Sequence, residues 1–292
     1  MPSKENGASH VSTSMYFLAS NELFKSEKPY AFRFTLAEHG LPSSIPQTNM
    51  KMERRDDIII DDIRGNEKMY TLEKNGFEVI THTSQIAYED YYEPEKVKSY
   101  LQELEEVLKD RLKASHVQVF RYGLRKRHSE FPVSTGEAYE YDQPTSVAHV
   151  DTTPEELSKE ITRQYGEEAN SWLTKRCQWI NIWKPLKGPL TDWPLAVCNA
   201  AVVDKVNDLE AADLLYPDLA TENYQVYYNP NHEWHYLSGQ EVSELMVFKQ
   251  ADHMMQSSLP GVPHCSFPNP FTPKGEAPRE SIEARALVFY DD

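Results

Sequence analysis

The sequence predicts a mainly β fold, a sandwich or barrel, with flanking α-helices. From residue 177 onward, short runs of apolar and aromatic residues alternate with turns that contain Pro, Gly and Asn, a pattern typical of many short strands. The chain contains 17 Tyr, 11 Phe and 5 Trp residues, and aromatic side chains favour strands over helices. Because closure removes exposed strand edges, we expect these strands to form a sandwich or barrel.

The N-terminal part of the chain is predicted to contain short strands and then one long helix. Residues 1–12 are small and polar and are predicted to be disordered. Alternation predicts strands at residues 30–34, 57–63 and 77–81, which we interpret as a cover on the main sheet. Apolar residues at helical spacing predict an amphipathic helix between Glu93 and Ala114. They are Val97, Tyr100, Leu101, Leu104, Val107, Leu108 and Leu112.

The remaining elements are one strand, a second helix and a long series of strands. A strand is predicted at residues 117–122, and a helix capped by Thr152 or Thr153 is predicted to run to about Leu173. Since neither an internal repeat nor a linker is visible, residues 1–292 are interpreted as a single domain. Further strands are predicted at 177–185, 195–203, 224–228, 232–237, 244–249 and 281–290, with an extended segment around His264.

Composition limits the class of partner. The net charge of −16 argues against nucleic acid and anionic membrane surfaces, which attract clustered Lys and Arg. A small-molecule substrate is therefore the expected partner, and a homodimer is the candidate assembly. The three cysteines are too few and too scattered for a disulfide framework. With no apolar N-terminal segment and no stretch as long as a membrane span, a cytoplasmic location is expected.

A candidate metal site is centred on His149 and Asp151. On a strand, side chains two residues apart point to the same face, so these two could act as neighbouring ligands. Chance alone predicts about 1.6 His-x-acid matches in this composition, and the second match, at His128 and Glu130, lies in a charged stretch that is predicted to be a loop. His264 is the candidate third ligand of a 2-His-1-carboxylate triad, which holds iron(II) and leaves coordination positions open.

An arginine-bearing strand near the C-terminus strengthens the iron interpretation. Arg279, Ser281, Glu283 and Arg285 share one face if this segment is a strand. A guanidinium beside a hydroxyl group suits bidentate binding of a carboxylate, and the cosubstrate 2-oxoglutarate carries one at its far end. Arg279 is the first candidate for this contact and Arg285 the second, with an ion pair to Glu283 as the ordinary role of Arg285.

Several longer segments resemble the fungal family related to cephamycin methoxylases and gibberellin desaturases, which includes the asaB-like proteins. The resemblance runs from about Tyr30 to the C-terminus. The segments that carry it are Trp179 to Cys198, Trp234 to Gln240, Phe248-Lys-Gln250, Pro263-His264 and Pro278 to Tyr290.

The resemblance implies a double-stranded β-helix, also called a jelly roll or cupin-like fold, with its core at about residues 116–292. It implies dependence on iron(II), 2-oxoglutarate and O₂, and hydroxylation, desaturation or oxidative cyclisation of a small molecule of secondary metabolism. His149, Asp151 and His264 match the family's metal positions. Arg279 and Ser281 occupy the place of the Arg-x-Ser element in related oxygenases.

Other residues receive weaker predictions. Arg125 matches an arginine of the family, with binding of a substrate carboxylate as one option. Asn181 shares a strand face with Trp179 and Trp183 and is a candidate for binding the cosubstrate. Trp183 is a candidate substrate contact, although packing within the sheet is the more ordinary role of both tryptophans. At Lys184 the family usually has Arg, so an ion pair at this position would have weaker geometry.

Two alternative functions keep the same residues. Zinc bound by two histidines and a carboxylate could activate water for hydrolysis, but this gives no role to Arg279 and Ser281. The second alternative is a non-catalytic ligand-binding protein, because jelly rolls also serve as binding modules. His232 and His235 would face opposite sides of a strand, so we expect structural roles or a pocket wall for them.

Overall fold

The strands of the computed structural model form two sheets, and residues 10–132, 139–254 and 259–291 are described. The helices are α1 (Pro94–Leu112), α2 (Pro154–Tyr165) and α3 (Ala169–Trp172). The strands are β1 (His10–Leu18), β2 (Tyr30–Phe32), β3 (Met52–Asp62), β4 (Phe77–Thr81), β5 (His116–Lys126), β6 (His149–Val150), β7 (Arg176–Pro185), β8 (Leu195–Cys198), β9 (Leu209–Leu215), β10 (Ala220–Val226), β11 (Trp234–Tyr236), β12 (Glu244–Asp252), β13 (His264–Ser266) and β14 (Glu280–Tyr290).

The two sheets differ in size and in what they contribute. The larger one has nine strands in the order β1-β3-β11-β8-β13-β6-β10-β9-β2, and the smaller has five in the order β4-β12-β7-β14-β5. One hydrophobic cluster joins the two, with Leu195 and Val197 of β8 packed with Met246 and Phe248 of β12. These curled sheets confirm the predicted mainly β, jelly-roll fold with flanking helices.

The long helix covers the outer face of the five-stranded sheet. Its buried residues, which include Leu104 and Leu108, pack against Ile180 and Ile182 of β7 and Ile282 of β14. Because strand side chains alternate, the residues between these isoleucines point to the opposite face, toward the nine-stranded sheet. The predicted division of β7 into two faces is therefore confirmed.

The N-terminal strands differ from the predicted cover. β1 and β3 extend the nine-stranded sheet, where β3 pairs in parallel with β11, and β4 pairs with β12 in the other sheet. β1 and β4 are thus edge strands, and β3 is the second strand from the edge of the nine-stranded sheet. Residues 10–12, predicted to be disordered, belong to β1, since its backbone pairs with β3. Residues 1–9, the rest of that prediction, lie outside the described residues.

Three other local predictions were wrong. The second helix ends at Tyr165, because Gly166 has a positive φ of 52°, which favours glycine. A short 3-10 helix and α3 follow it. The strand expected to reach residue 203 ends at Cys198, and residues 200–202 form a 3-10 helix. β9 was not predicted because Leu-Glu-Ala-Ala-Asp-Leu-Leu contains good helix formers, yet it pairs with β10 and β2.

The described residues contain no helix long and apolar enough to cross a membrane. The three cysteines, Cys177, Cys198 and Cys265, are buried and free, as expected from their spacing. The mutual positions of the two sheets depend on packing rather than on covalent cross-links.

Replacing Leu104 by alanine should lower the free energy of unfolding by about 2–5 kcal/mol, because this residue is fully buried between α1 and the sheet. Urea unfolding would measure the change. Lys98→Ala on the same helix is the control, since Lys98 is exposed and pairs only with Glu95, and it should change stability by less than about 0.5 kcal/mol. Equal losses in both variants would contradict the packing described here.

Candidate metal centre

Three predicted ligands meet at one point between the sheets. β6 pairs with β13 so that His149 lies directly opposite His264, and Asp151 follows in a bend immediately after β6. The Nε2 atom of His149 is 3.4 Å from Oδ1 of Asp151, and Nε2 of His264 is 3.9 Å from Oδ2. The three ligand atoms lie within 4.8 Å of one another, which is close enough for one metal ion to contact all three.

Main-chain carbonyls orient both histidine rings. Nδ1 of His149 is 2.8 Å from the carbonyl oxygen of Val147, and Nδ1 of His264 is 3.2 Å from that of Val262. A carbonyl only accepts, so each Nδ1 carries the proton and each Nε2 presents its lone pair toward Asp151. Burial and the neighbouring His149 lower the pKa of His264 to about 3, so this imidazole is neutral and can act as a ligand.

Two side chains of the five-stranded sheet hold Asp151. Nδ2 of Asn181 donates to its Oδ2 at 2.6 Å, and Nη2 of Arg285 lies 3.1 Å from the same oxygen. Although burial opposes ionisation, the charge of Arg285 holds the pKa of Asp151 well below its usual range. Asn181 also accepts from Nε1 of Trp179 at 2.9 Å. Arg285 donates to Glu283, the ion pair that was its ordinary alternative.

The contacts of Asn181 and Arg285 therefore differ from their predicted contact with a cosubstrate. Both side chains contact the candidate ligand Asp151 and each has a second protein partner. The sequence showed that they face inward, but it could not show that the nearest inward group would be Asp151, which belongs to the other sheet.

Arg279 and Ser281 have buried hydrogen-bonding groups that no described residue satisfies. Arg279 is 2% exposed, and its Nη1 donates to the carbonyl of Trp193 and to Oγ of Ser266, both at 2.6 Å. Its Nε and the hydroxyl of Ser281 are buried without a hydrogen-bond partner in the described structure. Burial and the nearby charge of Arg125 lower the pKa of Arg279 to about 9, so it is still charged at neutral pH.

This arginine shares one small chamber with the metal-binding residues. His149, Asp151, His264, Arg279 and Ser266 all line it. A buried guanidinium and an orphaned hydroxyl group fit a carboxylate, and the triad at the same chamber fits a metal. The chemistry of these residues thus suits a metal ion and a carboxylate.

Trp183 belongs to this chamber, and its indole lies beneath the guanidinium of Arg279, with 5.6 Å between the guanidinium carbon and the ring centre. It does not line the larger cavity next to the chamber. It contacts Arg279 and packs with Phe248 and Leu195, and its predicted contact with substrate stays a prediction.

A larger cavity of about 690 Å³ opens beside the chamber. His149, Asp151, Arg285 and Arg125 line both spaces. A molecule in the larger cavity can therefore contact the candidate ligands His149 and Asp151, whereas Arg279 lines the small chamber alone. Arg125 donates from Nη1 to the carbonyl of Gln143 at 2.6 Å, which fixes its position at the boundary.

Gln250 belongs to a segment that carries the resemblance, but the sequence predicted no role for it. Gln250 of β12 is 1% exposed, and its Oε1 accepts from the main-chain N–H of Asp151 at 2.6 Å. Its Nε2 donates at 3.1 Å to the carbonyl of Val262, the same carbonyl that orients His264. Gln250 therefore ties together both ligand-bearing segments. The signal available in the sequence was a glutamine that follows the apolar run Leu245–Phe248 within the segment of the resemblance.

The main chain of Gln250 leaves room only for glycine at position 261. A Cβ atom on Gly261 would lie 2.2 Å from the main-chain oxygen of Gln250 and 2.4 Å from Cγ1 of Val150. The chain thus approaches β12 too closely for any side chain. This close approach sets the path of the segment that leads to His264.

The other histidines and Lys184 are outside both spaces. His232 pairs with Asp208 at 3.0 Å, and His235 packs 4.9 Å from the ring of Tyr70, so the expected structural roles fit. His128 is exposed in a loop, as predicted. Lys184 lies under α1, where its Nζ donates to the hydroxyl of Tyr91 at 2.7 Å, so this departure from the family pattern does not touch the metal-binding residues.

Comparisons with known proteins agree with this geometry. A family model described as "Oxidoreductase/YMDC permease-like domain" matches residues 15–289. The hydroxylase/desaturase efuI of Hormonema carpetanum is 30% identical over 274 residues, which cover 87% of this chain and 89% of that protein. The alpha-ketoglutarate-dependent dioxygenase tstK of Talaromyces stipitatus is 31% identical over 237 residues, which cover 80% and 84%.

A solved structure extends the likeness to the whole fold. The iron and alpha-ketoglutarate-dependent endoperoxidase NvfI superposes with a TM-score of 0.82 at 25% identity, covering 98% of this chain and 100% of that chain. Alpha-ketoglutarate is another name for 2-oxoglutarate, so these names point to the same cosubstrate that the Arg279 site fits.

Replacing Gln250 by leucine should weaken metal binding by about 10- to 100-fold, the usual effect of removing a group that orients metal ligands. Titration of the protein with Co²⁺, followed by absorbance, would measure it. Gln240→Leu is the matched control, because Gln240 is also buried and bonds the main chain of Glu244 away from the triad. If both variants lost the same affinity, the effect would be one of general stability and not of ligand positioning.

Proposed function

The chain belongs to the iron(II)- and 2-oxoglutarate-dependent dioxygenases, and we propose that His149, Asp151 and His264 bind its iron. It is an oxidoreductase that uses iron(II), 2-oxoglutarate and O₂ to hydroxylate, desaturate or oxidatively cyclise a small molecule in secondary-metabolite biosynthesis. A zinc hydrolase and a non-catalytic binding protein, the two alternatives, are therefore set aside.

One observation carries the assignment of the cosubstrate. Nε of Arg279 and the hydroxyl of Ser281 are buried, polar and without partners in the part of the chain that the structure describes. They line or adjoin the chamber of the metal-binding triad. Leaving such groups unsatisfied is costly, and the far carboxylate of 2-oxoglutarate would satisfy both. We therefore assign Arg279 and Ser281 to the cosubstrate.

The chemistry that iron, 2-oxoglutarate and oxygen supply together is oxidative attack on a substrate hydrogen, with succinate and carbon dioxide as coproducts. The protein contributes position and shielding. Asn181, Gln250 and Arg285 hold Asp151, and the carbonyls behind the histidines keep both Nε2 atoms directed inward. Because the three ligands share one side, the opposite side stays open to small molecules.

The substrate is a small molecule, which the family implies. We extend the proposal to a cytoplasmic location, which is supported by three buried cysteines that remain free thiols. Nothing in the described surface argues for nucleic acid or membrane as a partner, given the net charge of −16. A homodimer stays a prediction.

Alanine at His264 should abolish iron-dependent succinate formation, because the remaining two ligands cannot complete the facial triad. Succinate would be measured under air with iron(II) and 2-oxoglutarate, and metal content would be measured on the same samples. His232→Ala is the control, since His232 is buried but pairs with Asp208, and it should keep metal binding in whatever fraction remains folded. Zinc as the bound metal, or full turnover without His264, would contradict the proposal.

Alanine at Arg279 should raise the 2-oxoglutarate concentration needed for half-saturation by about 10- to 100-fold while leaving metal affinity nearly unchanged, because a charged hydrogen bond contributes about 1.5–3 kcal/mol. Anaerobic binding of 2-oxoglutarate to the metal-loaded protein would measure it. Arg127→Ala is the matched control, since Arg127 pairs with Asp192 at 2.6 Å, the residue that also accepts the main-chain N–H of Arg279. An unchanged requirement in Arg279→Ala would assign the carboxylate to another residue.

A further inference from the structure

Three arginines line the larger cavity without an acidic partner. Arg33, Arg121 and Arg125 contribute to its wall, and none has a carboxylate within 4.0 Å in the described ranges. The chain has 46 acidic residues against 30 basic ones, so partners for an arginine are plentiful. Arg33 and Arg121 are exposed and Arg125 is half-buried, so Arg125 is the one of the three whose charge is partly withdrawn from water without a carboxylate beside it.

The same wall carries five acidic residues, but none of them forms an ion pair with these three arginines in the described structure. Glu283 is held by Arg285 at 2.9 Å. Glu156 and Glu160 share Arg163, each at 2.7 Å. Asp151 is assigned to the metal. The remaining carboxylate of the wall, Asp142, is exposed and makes no ion pair in the described structure.

Arg125 lies at the boundary between the small chamber and the larger cavity, where it can contact a bound molecule. It is the register partner of Ser281, and Gly123 and Arg121 are the partners of Glu283 and Arg285. These three residues of β5 alternate toward the inner face. A Cβ on Gly123 would meet nothing within 4 Å, so the space between the two arginines is open. The bond from Arg125 to the carbonyl of Gln143 uses one of its five N–H donors.

Arg125 and Arg279 are neighbouring guanidinium groups, and of the two Arg125 alone also lines the larger cavity. Arg279 faces the small chamber, where the cosubstrate carboxylate is assigned, whereas Arg125 lines both the chamber and the larger cavity. The charge of Arg125 lowers the pKa of Arg279, which indicates that the two groups repel each other at close range. An anion on each side would remove the repulsion.

We propose that the larger cavity recognises its substrate through an ionised carboxylate that binds Arg125, with Arg121 and Arg33 attracting the acid at the entrance. This assignment rests on the proposed function, since it takes the Arg279 chamber as the place of 2-oxoglutarate. The fork of a single guanidinium matches one carboxylate in a bidentate contact. Neutral polar side chains of the wall, such as Asn223 and Gln225, suit the uncharged remainder of such a substrate.

Matched acid and methyl ester pairs test this inference directly. The probes are cyclohexanecarboxylate, 3-phenylpropanoate and decanoate with their methyl esters, added to protein that is saturated with 2-oxoglutarate and carries Zn²⁺ in place of iron. Ligand-observed NMR would compare their affinities. We expect the acids to bind about tenfold or more tightly than the esters, and Arg125→Gln to remove that preference. Arg125→Lys should keep part of it because the charge remains.

Arg54→Gln is the matched control, because Arg54 is an exposed arginine that pairs with Asp56 at 2.7 Å outside the cavity, and it should keep the full preference. The proposal is overturned if no acid binds, if esters bind equally well, if the preference survives Arg125→Gln, or if this variant weakens only 2-oxoglutarate. Metal and 2-oxoglutarate binding are measured on the same wild-type samples. If the wild-type protein bound neither metal nor 2-oxoglutarate, the proposed function itself would be refuted. If it bound 2-oxoglutarate but showed no preference for acids over esters, only this inference would be refuted.

Discussion

The buried carboxylate of Asp151 is the constraint on which the rest of the site depends. A charge removed from water is tolerated only when charged or hydrogen-bonding partners surround it. Here Arg285 forms an ion pair with the carboxylate and Asn181 donates to it, while the main-chain N–H of Asp151 donates to Gln250. A bound cation would add the remaining compensation. The fold can therefore keep an ionised carboxylate inside only because strands from the second sheet bring donors to it.

This requirement explains why the two sheets contribute different residues to the site. The candidate ligands come from the nine-stranded sheet, on β6 and β13, whereas the residues that orient them come from β7, β12 and β14 of the five-stranded sheet. Packing α1 against the outer face of the smaller sheet fixes those three strands. A metal site built this way is rigid, because any shift of one sheet against the other would break several hydrogen bonds at once.

Positive charge inside this acidic protein is placed where negative ligands are needed. Arg285 is neutralised by Asp151 and Glu283, whereas Arg279 and Arg125 keep their charge for molecules that bind. Burial makes such charges effective, because little water is present to screen them. In the proposed arrangement the cosubstrate binds Arg279 and the substrate binds Arg125, so that two acids could bind at once without competing for one guanidinium.

The sequence by itself determined the local features of this protein. Alternation and helical spacing identified β4, β7, β14 and α1, and the short motif around His149 with the distant His264 predicted three residues that the structure brings together. Such patterns depend only on neighbouring residues and on which face they share. Only the tertiary structure decided what Asn181, Arg285 and Gln250 contact, because Asp151 reaches them from the other sheet. It also decided that Leu209–Leu215 is a strand, since pairing with β10 and β2 outweighs the helix propensity of its residues.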